Sequence, residues 1–261
     1  MTAPARRIVV AVDASPLSLA AADAACRLSG RLGMPVEAVF VEDINVVRLV
    51  AHPFVHTISL AAARRQSADD TLIGKALELQ VVAARRALED ALAASGAHGG
   101  FSVRRGRVEA EVLAAAHGAE LVCLGWSGRA VPGTRPRLGS VARAVTEGAA
   151  ASVLLLQAAR LGAVSLWWDG TMAALEMAAR LAAHDGGTVD VLVAAADRGH
   201  GLRHGAEAVT LLRERGVGAA VRAVGRPATL LAALMPDAVL VLSAGAGMAL
   251  DDLPCSTIVV R

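Results

Sequence analysis

Tyrosine is absent from this chain, and phenylalanine and tryptophan occur three times each. A fold with so few rings must build its core from Ala, Val and Leu. It also offers no row of aromatic platforms on which single-stranded nucleic acid could stack. A dominant charge is lacking as well: 26 basic and 24 acidic side chains leave a formal net charge of +2. Nucleic acid is therefore not an expected partner. No apolar run approaches the roughly 18 residues of a membrane span, so a membrane is not expected either. The stretch Ile8–Val12 after Arg6 and Arg7 is too short for the hydrophobic region of a secretory signal. Cys26, Cys123 and Cys255 are far apart and odd in number, which argues against a disulfide framework and for a reducing, cytoplasmic location.

What the chain does have is apolar residues, 55% of 261, enough for one large core or two smaller ones. They fall into short continuous runs: Ile8–Val12, Val36–Val41, Ser102–Arg104, Leu121–Leu124 and Val153–Leu156. Between them lie Ala-rich segments with helical spacing, Leu17–Leu32, Leu77–Ala94 and Glu109–Ala116. Buried strands alternating with helices predict an α/β fold, a doubly wound parallel sheet covered on both faces.

The order then repeats. Val164–Trp168 followed by Asp169-Gly170-Thr171 matches Val9–Val12 followed by Asp13-Ala14-Ser15. Helix Met172–Ala183, strand Val189–Val193, helix His204–Arg215, strand Ala219–Val224, helix Thr229–Leu234 and strands Val239–Leu242 and Thr257–Val260 complete a second copy. Two tandem Rossmann-like domains are expected, 1–160 and 161–261, with Gly162 at the joint. The first copy carries an insertion, Ile44–Lys75, whose mixed apolar and charged residues suit a partly helical flap beside the ligand cleft or a seal at the domain interface. The second copy is shorter between Ser243 and Ser256 and lacks the arginines and the Gly-Ser helix start found between Gly125 and Ser152. Both copies end in apolar strands that would otherwise be open edges. Val153–Leu156 and Thr257–Val260 are therefore expected to pair with each other, antiparallel, as an internal pseudo-dimer; a homodimer of whole chains is a further arrangement.

The richest segment is GWSGRAVPGTRPRLGSVARAV, 125 to 145. Gly125, Gly128, Gly139 and Ser140 stand where a buried strand passes through a loop into a helix. Glycines there permit backbone approaches that a Cβ would block, and a helix N-terminus suits an anion. Arg129, Arg135 and Arg137 could pair with phosphates or simply be solvated. Asp13 and Val41 also lie at carboxyl ends of strands, where open α/β sheets gather their ligands. Asp13 and Ser15 could equally cap the following helix.

These residues together resemble the universal stress protein family: Asp13-x-Ser15 after the first strand, Val41-Glu42-Asp43 after the second, and Gly125-x2-Gly128 followed by Gly139-Ser140 after the fourth. Family members that bind ATP carry Gly-x2-Gly-x9-Gly-(Ser/Thr); here ten residues separate Gly128 from Gly139. The resemblance implies that Gly128, Gly139, Val141 and the Ser140 hydroxyl hold phosphates, in a loop with Gly125, Trp126 and Arg129. It also implies that Asp13, beside Ala11, Val12 and Ser15, holds ribose, and that Val41 flanks adenine. The implied ligand is ATP, with or without Mg, at one site in the first copy of a stress-response or signalling protein. Two other readings stay open: a nucleotide-free interaction scaffold and a slow ATPase, although no catalytic set is visible.

Other motifs fail. Gly125-Trp126-Ser127-Gly128-Arg129 departs from the hydrolase elbow at its fifth position. There is no G-x-x-x-x-G-K-[ST], and no Ser-Gly-Gly-x-Asp-Ser loop after the first strand. His52 and His56 have helical spacing but flank Pro53 and lack a third ligand. Trp167-Trp168 reads as packing at the domain boundary.

Overall fold

The computed structural model describes residues 6–45, 56–59, 64–67, 70–127, 137–183 and 187–261. Ile8–Val12 (β1), Val36–Asp43 (β2), Gly99–Gly106 (β5), Leu121–Gly125 (β6) and Ser152–Leu156 (β7) form one half of a ten-stranded sheet. Val164–Trp167 (β8), Thr188–Ala194 (β9), Gly218–Gly225 (β10), Val239–Ser243 (β11) and Ser256–Val260 (β12) form the other. The spatial order is β10-β9-β8-β11-β12-β7-β6-β1-β2-β5, so each half has its first strand in the middle and reverses direction there. Within this sheet every pairing is parallel except β7 with β12.

The helices follow from sheets that are apolar on both faces. Pro16–Leu32 (α1), Asp70–Ser95 (α2), Met172–Ala182 (α5) and Arg198–Glu214 (α6) cover one face. Val108–Ala116 (α3), Ser140–Gly148 (α4) and Pro227–Ala232 (α7) cover the other. Successive strand residues serve opposite cores: Leu154 and Leu156 face α1 and α5, while Val153 and Leu155 face the α3–α4 side. That alternation under double cover explains why these strands read as unbroken apolar runs. All three tryptophans are buried, with Trp126 and Trp167 in one core and Trp168 in the other. Among the described residues no helix is long and apolar enough to cross a membrane.

Two expectations need revision. β5 runs over Gly99–Gly106, longer than Ser102–Arg104, because it is an edge strand whose residues are half-exposed and carry Arg104 and Arg105. Helix α2 begins at Asp70 rather than near Leu77, so its first turns fall within the segment Ile44–Lys75. Within that segment the described residues His56–Ser59 (β3) and Arg64–Ser67 (β4) pair as an antiparallel hairpin. His52 lies outside the described residues. The Gly162 N–H donates to the Asp237 carbonyl at 2.7 Å.

The β7–β12 register centres on Leu154 opposite Ile258, with Val153 opposite Val259 and Leu155 opposite Thr257. On the α1–α5 face the Arg31 guanidinium donates to the Leu181 carbonyl and the Arg180 guanidinium to the Leu32 carbonyl, both at 3.4 Å. The same Arg-Leu pair thus reaches across in both directions, the reciprocity expected of a two-fold relation. Arg180 also pairs with Glu120. Leu154 and Ile258 are fully buried. Truncating either to Ala should cost about 2–5 kcal/mol, and urea unfolding should remain a single transition because the seam belongs to both halves. Two separated transitions in the parent chain would show that the halves are independent.

Candidate functional site

A cavity of about 480 Å³ opens at the carboxyl ends of β1, β2 and β6. Ala11, Val12, Asp13 and Ser15 form one wall, Val39, Phe40 and Val41 a second, and Leu124, Gly125 and Ser127 the floor toward α4. Gly139, Ser140, Val141 and Ala142 bring the start of α4 to the same space. Of the residues singled out from sequence, Trp126 is placed elsewhere: its ring is buried in the α3–α4 core and does not line the cavity. Its backbone N–H donates to Leu156 and its carbonyl accepts from Gly139, so Trp126 anchors both ends of the loop to the fold. Gly128 and Arg129 lie outside the described residues, as do Pro132, Arg135 and Pro136.

The turn after β1 is sharply defined. Ala14 has φ +58, an uncommon angle for a residue with a Cβ and one that tends to accompany functional loops. The Ser15 N–H donates to Asp13 Oδ1 at 2.9 Å, and the Ser18 hydroxyl accepts from the Asp13 N–H at 3.1 Å. Ser15 is the cap of α1, accepting from the Ser18 N–H, and Pro16 begins the helix. Asp13 is therefore not the cap; it lines the cavity with an exposed side chain. Gly125 makes this possible. A Cβ there would meet the Leu17 Cβ at 3.0 Å and its carbonyl carbon at 3.1 Å, so only glycine lets β6 end so close to α1.

The start of α4 has Gly139 as its cap residue and no side-chain cap. The first N–H groups of a helix lack intrahelical partners and carry the positive end of the dipole, and here Ser140, Val141 and Ala142 bring them to the cavity. Ser127, weighed from sequence only as part of a failed hydrolase elbow, also lines the cavity. Its Oγ is buried with no hydrogen-bond partner among the described residues. Leu77 and Gln80 of α2 and Val108 and Val112 of α3 complete the walls. Their i, i+3 and i, i+4 spacings mark a shared helix face, but spacing alone does not say which cavity that face meets.

The second half repeats the turn and closes it. Gly170 has φ +92 where Ala14 has +58, and the Thr171 N–H donates to Asp169 Oδ1 at 2.9 Å. Ser243 replaces Gly125, and its hydroxyl donates to Asp169 Oδ2. Trp168 stands where Val12 does, buried, with its ring 5.6 Å from that of His204. The glycine loop and helix α4 have no counterpart there, only the three-residue 3-10 turn Leu250–Asp252. Burial opposes ionisation of Asp169, but the Ser243 and Thr171 hydrogen bonds outweigh it and hold the carboxyl below its ordinary value.

Residues 4–157 match the universal stress protein family. The chain belongs to that family. Among curated proteins none matches it. It is similar over its whole length to a solved universal stress protein from Archaeoglobus fulgidus DSM 4304, at 14% identity and a TM-score of 0.69, covering 100% of this chain and 99% of that one. A protein of unknown function from Pseudomonas aeruginosa PAO1 aligns at 16% identity and a TM-score of 0.53, over 98% of this chain and 92% of that one. A universal stress protein solved in complex with cAMP aligns over 59% of this chain and 98% of its own, at 18% identity and a TM-score of 0.41.

Because the folded Asp169 carboxyl is more acidic than the unfolded one, its contribution to stability is full above about pH 4 and is lost as pH falls through the folded value. Ser243→Ala should therefore lower the urea midpoint at neutral pH, and the gap from the parent should shrink on acidification. A gap that stays constant down to acid unfolding would show that the hydroxyl does not act through the Asp169 charge.

Proposed function

We propose that this universal stress protein binds one adenine nucleotide, ATP, in the first-half cavity and serves as a stress-response or signalling module. The observation that carries the reading is one cavity joining an apolar slot, a carboxylate and an uncapped helix start. Its volume lies within the roughly 300–1,000 Å³ of small-molecule sites. In this reading Val41, with Val39 and Phe40, flanks adenine and Asp13 takes the ribose hydroxyls. Ser140 and Val141 take the phosphates through N–H groups and the Ser140 hydroxyl, and Gly139, whose N–H is held by the Trp126 carbonyl, lets the phosphates approach the backbone. The unpartnered Ser127 hydroxyl gains a partner when a ligand enters. Magnesium, where it accompanies ATP, would be carried chiefly by the phosphates and water.

In the same reading residues 1–160 are the nucleotide-binding unit and 161–261 a reduced copy, packed together as an intramolecular pseudo-dimer. The reduced copy takes no nucleotide because Ser243 occupies its carboxylate and its loop is missing. Calorimetric titration with ATP should give one equivalent per chain. Gly139→Val should abolish binding by obstructing the backbone's approach to phosphate, while circular dichroism stays that of the parent. Two equivalent sites, or unchanged affinity in the folded Gly139→Val variant, would defeat the assignment.

A further inference from the structure

The half that lacks a glycine loop of its own holds both ends of the helix that carries the other half's. Asp251 lies in the 3-10 turn between β11 and β12, and its Oδ2 is 2.6 Å from Nη2 of Arg143 in α4. The hydrogen bond from Arg143 holds this carboxyl below its ordinary value, with smaller help from the Leu138 N–H and the charge of Arg137. At the far end the guanidinium of Arg261, which follows β12, donates to the carbonyls of Thr146 and Glu147. Those carbonyls belong to the last turn, where helices have no partners of their own. An acid at the positive end of α4 and a base at its negative end both match the helix dipole. Neither Asp251 nor Arg261 lines the cavity.

We propose that Asp251 and Arg261 are positioning residues for the phosphate end of the nucleotide cavity, a role that rests on the reading above. They act through α4. Ser140, Val141 and Ala142 line the cavity from its first turn, so a tilt of the helix displaces the groups that meet phosphate. The walls on β1 and β2, which meet ribose and adenine, stay where they are. The seam makes the clamp rigid, because β12, which joins the Asp251 turn to Arg261, is hydrogen-bonded to β7, the strand that follows α4.

The test titrates the full chain with ATP and, separately, with adenosine. The Asp251→Asn, Arg261→Met double variant should bind ATP about tenfold more weakly, within the usual range of coupling between distinct sites, and bind adenosine as the parent does. Asp251→Glu should recover part of the loss, since it keeps the charge that faces Arg143. Equal losses for ATP and adenosine would assign a general stabilising role, and tighter ATP binding would make Asp251 a competitor of the phosphates; either result overturns the proposal. Hydrogen exchange reads the clamp without ligand: α4 amides should exchange faster in the double variant while β1 and β2 keep parental rates. Unchanged α4 protection also overturns it. A parent chain that binds neither compound removes the nucleotide reading and this role with it, and leaves the exchange arm to show whether α4 is clamped at all.

Discussion

The antiparallel ladder between β7 and β12 closes the two sheet edges that each half would otherwise leave open, and it fixes everything packed across it. Both strands are buried along their whole length. An unpaired edge of that kind exposes a row of N–H and C=O groups beside apolar side chains, which invites association. The polar groups at the seam are partnered: the Ser256 hydroxyl accepts from the Gln157 N–H at 3.0 Å, and the Gln157 side-chain amide donates to the Leu253 and Cys255 carbonyls at 2.9 and 2.8 Å. A register slip would strand these buried groups without partners, so the same bonds that join the halves also specify how they meet.

Near absence of aromatic residues has a structural counterpart in close helix–sheet packing. Helix α1 presents Ala21, Ala22, Ala24 and Ala25 as buried residues, and the end of β6 approaches it closely enough to require Gly125. Small side chains there bring backbone near backbone where β6 meets α1. Where larger residues enter at matching positions, Trp168 for Val12 and Ser243 for Gly125, the space beside the Asp turn is taken up by the protein itself. One backbone turn thus borders an open cavity in the first half, while in the second its carboxylate is held by Ser243 and flanked by the buried Trp168.

Much of the fold was legible because doubly covered strands leave continuous apolar runs, and because Gly and Asp-x-Ser punctuate their ends. What escaped had weaker local signals. β5 is half-exposed at an edge, so its polar residues masked its length. Trp126 sits inside the loop motif and was read as part of the ligand site, whereas burial of a large ring outweighed its position in sequence. Ser127 was visible only as part of a motif that failed. Leu77, Gln80, Val108 and Val112 show helical spacing, but the cavity they meet is a property of packing. Asp251 was the least legible: it is more than a hundred positions from Arg143, and no local pattern links them.

That last contact bears on why a copy without a loop is still part of the chain. A helix equivalent to α4 between β11 and β12 would lie against α4 across the seam, and its own first turn would face its own cleft. The short 3-10 turn is different in kind. It brings Asp251 to the Leu138 N–H and to Arg143, and the chain then runs directly through β12 to Arg261 at the other end of the same helix. Loss of the second loop therefore leaves that half without a counterpart of α4 and shortens the path between two side chains that bracket α4 itself. The strand pairing that closes the sheet edges is also what gives this bracket a fixed base.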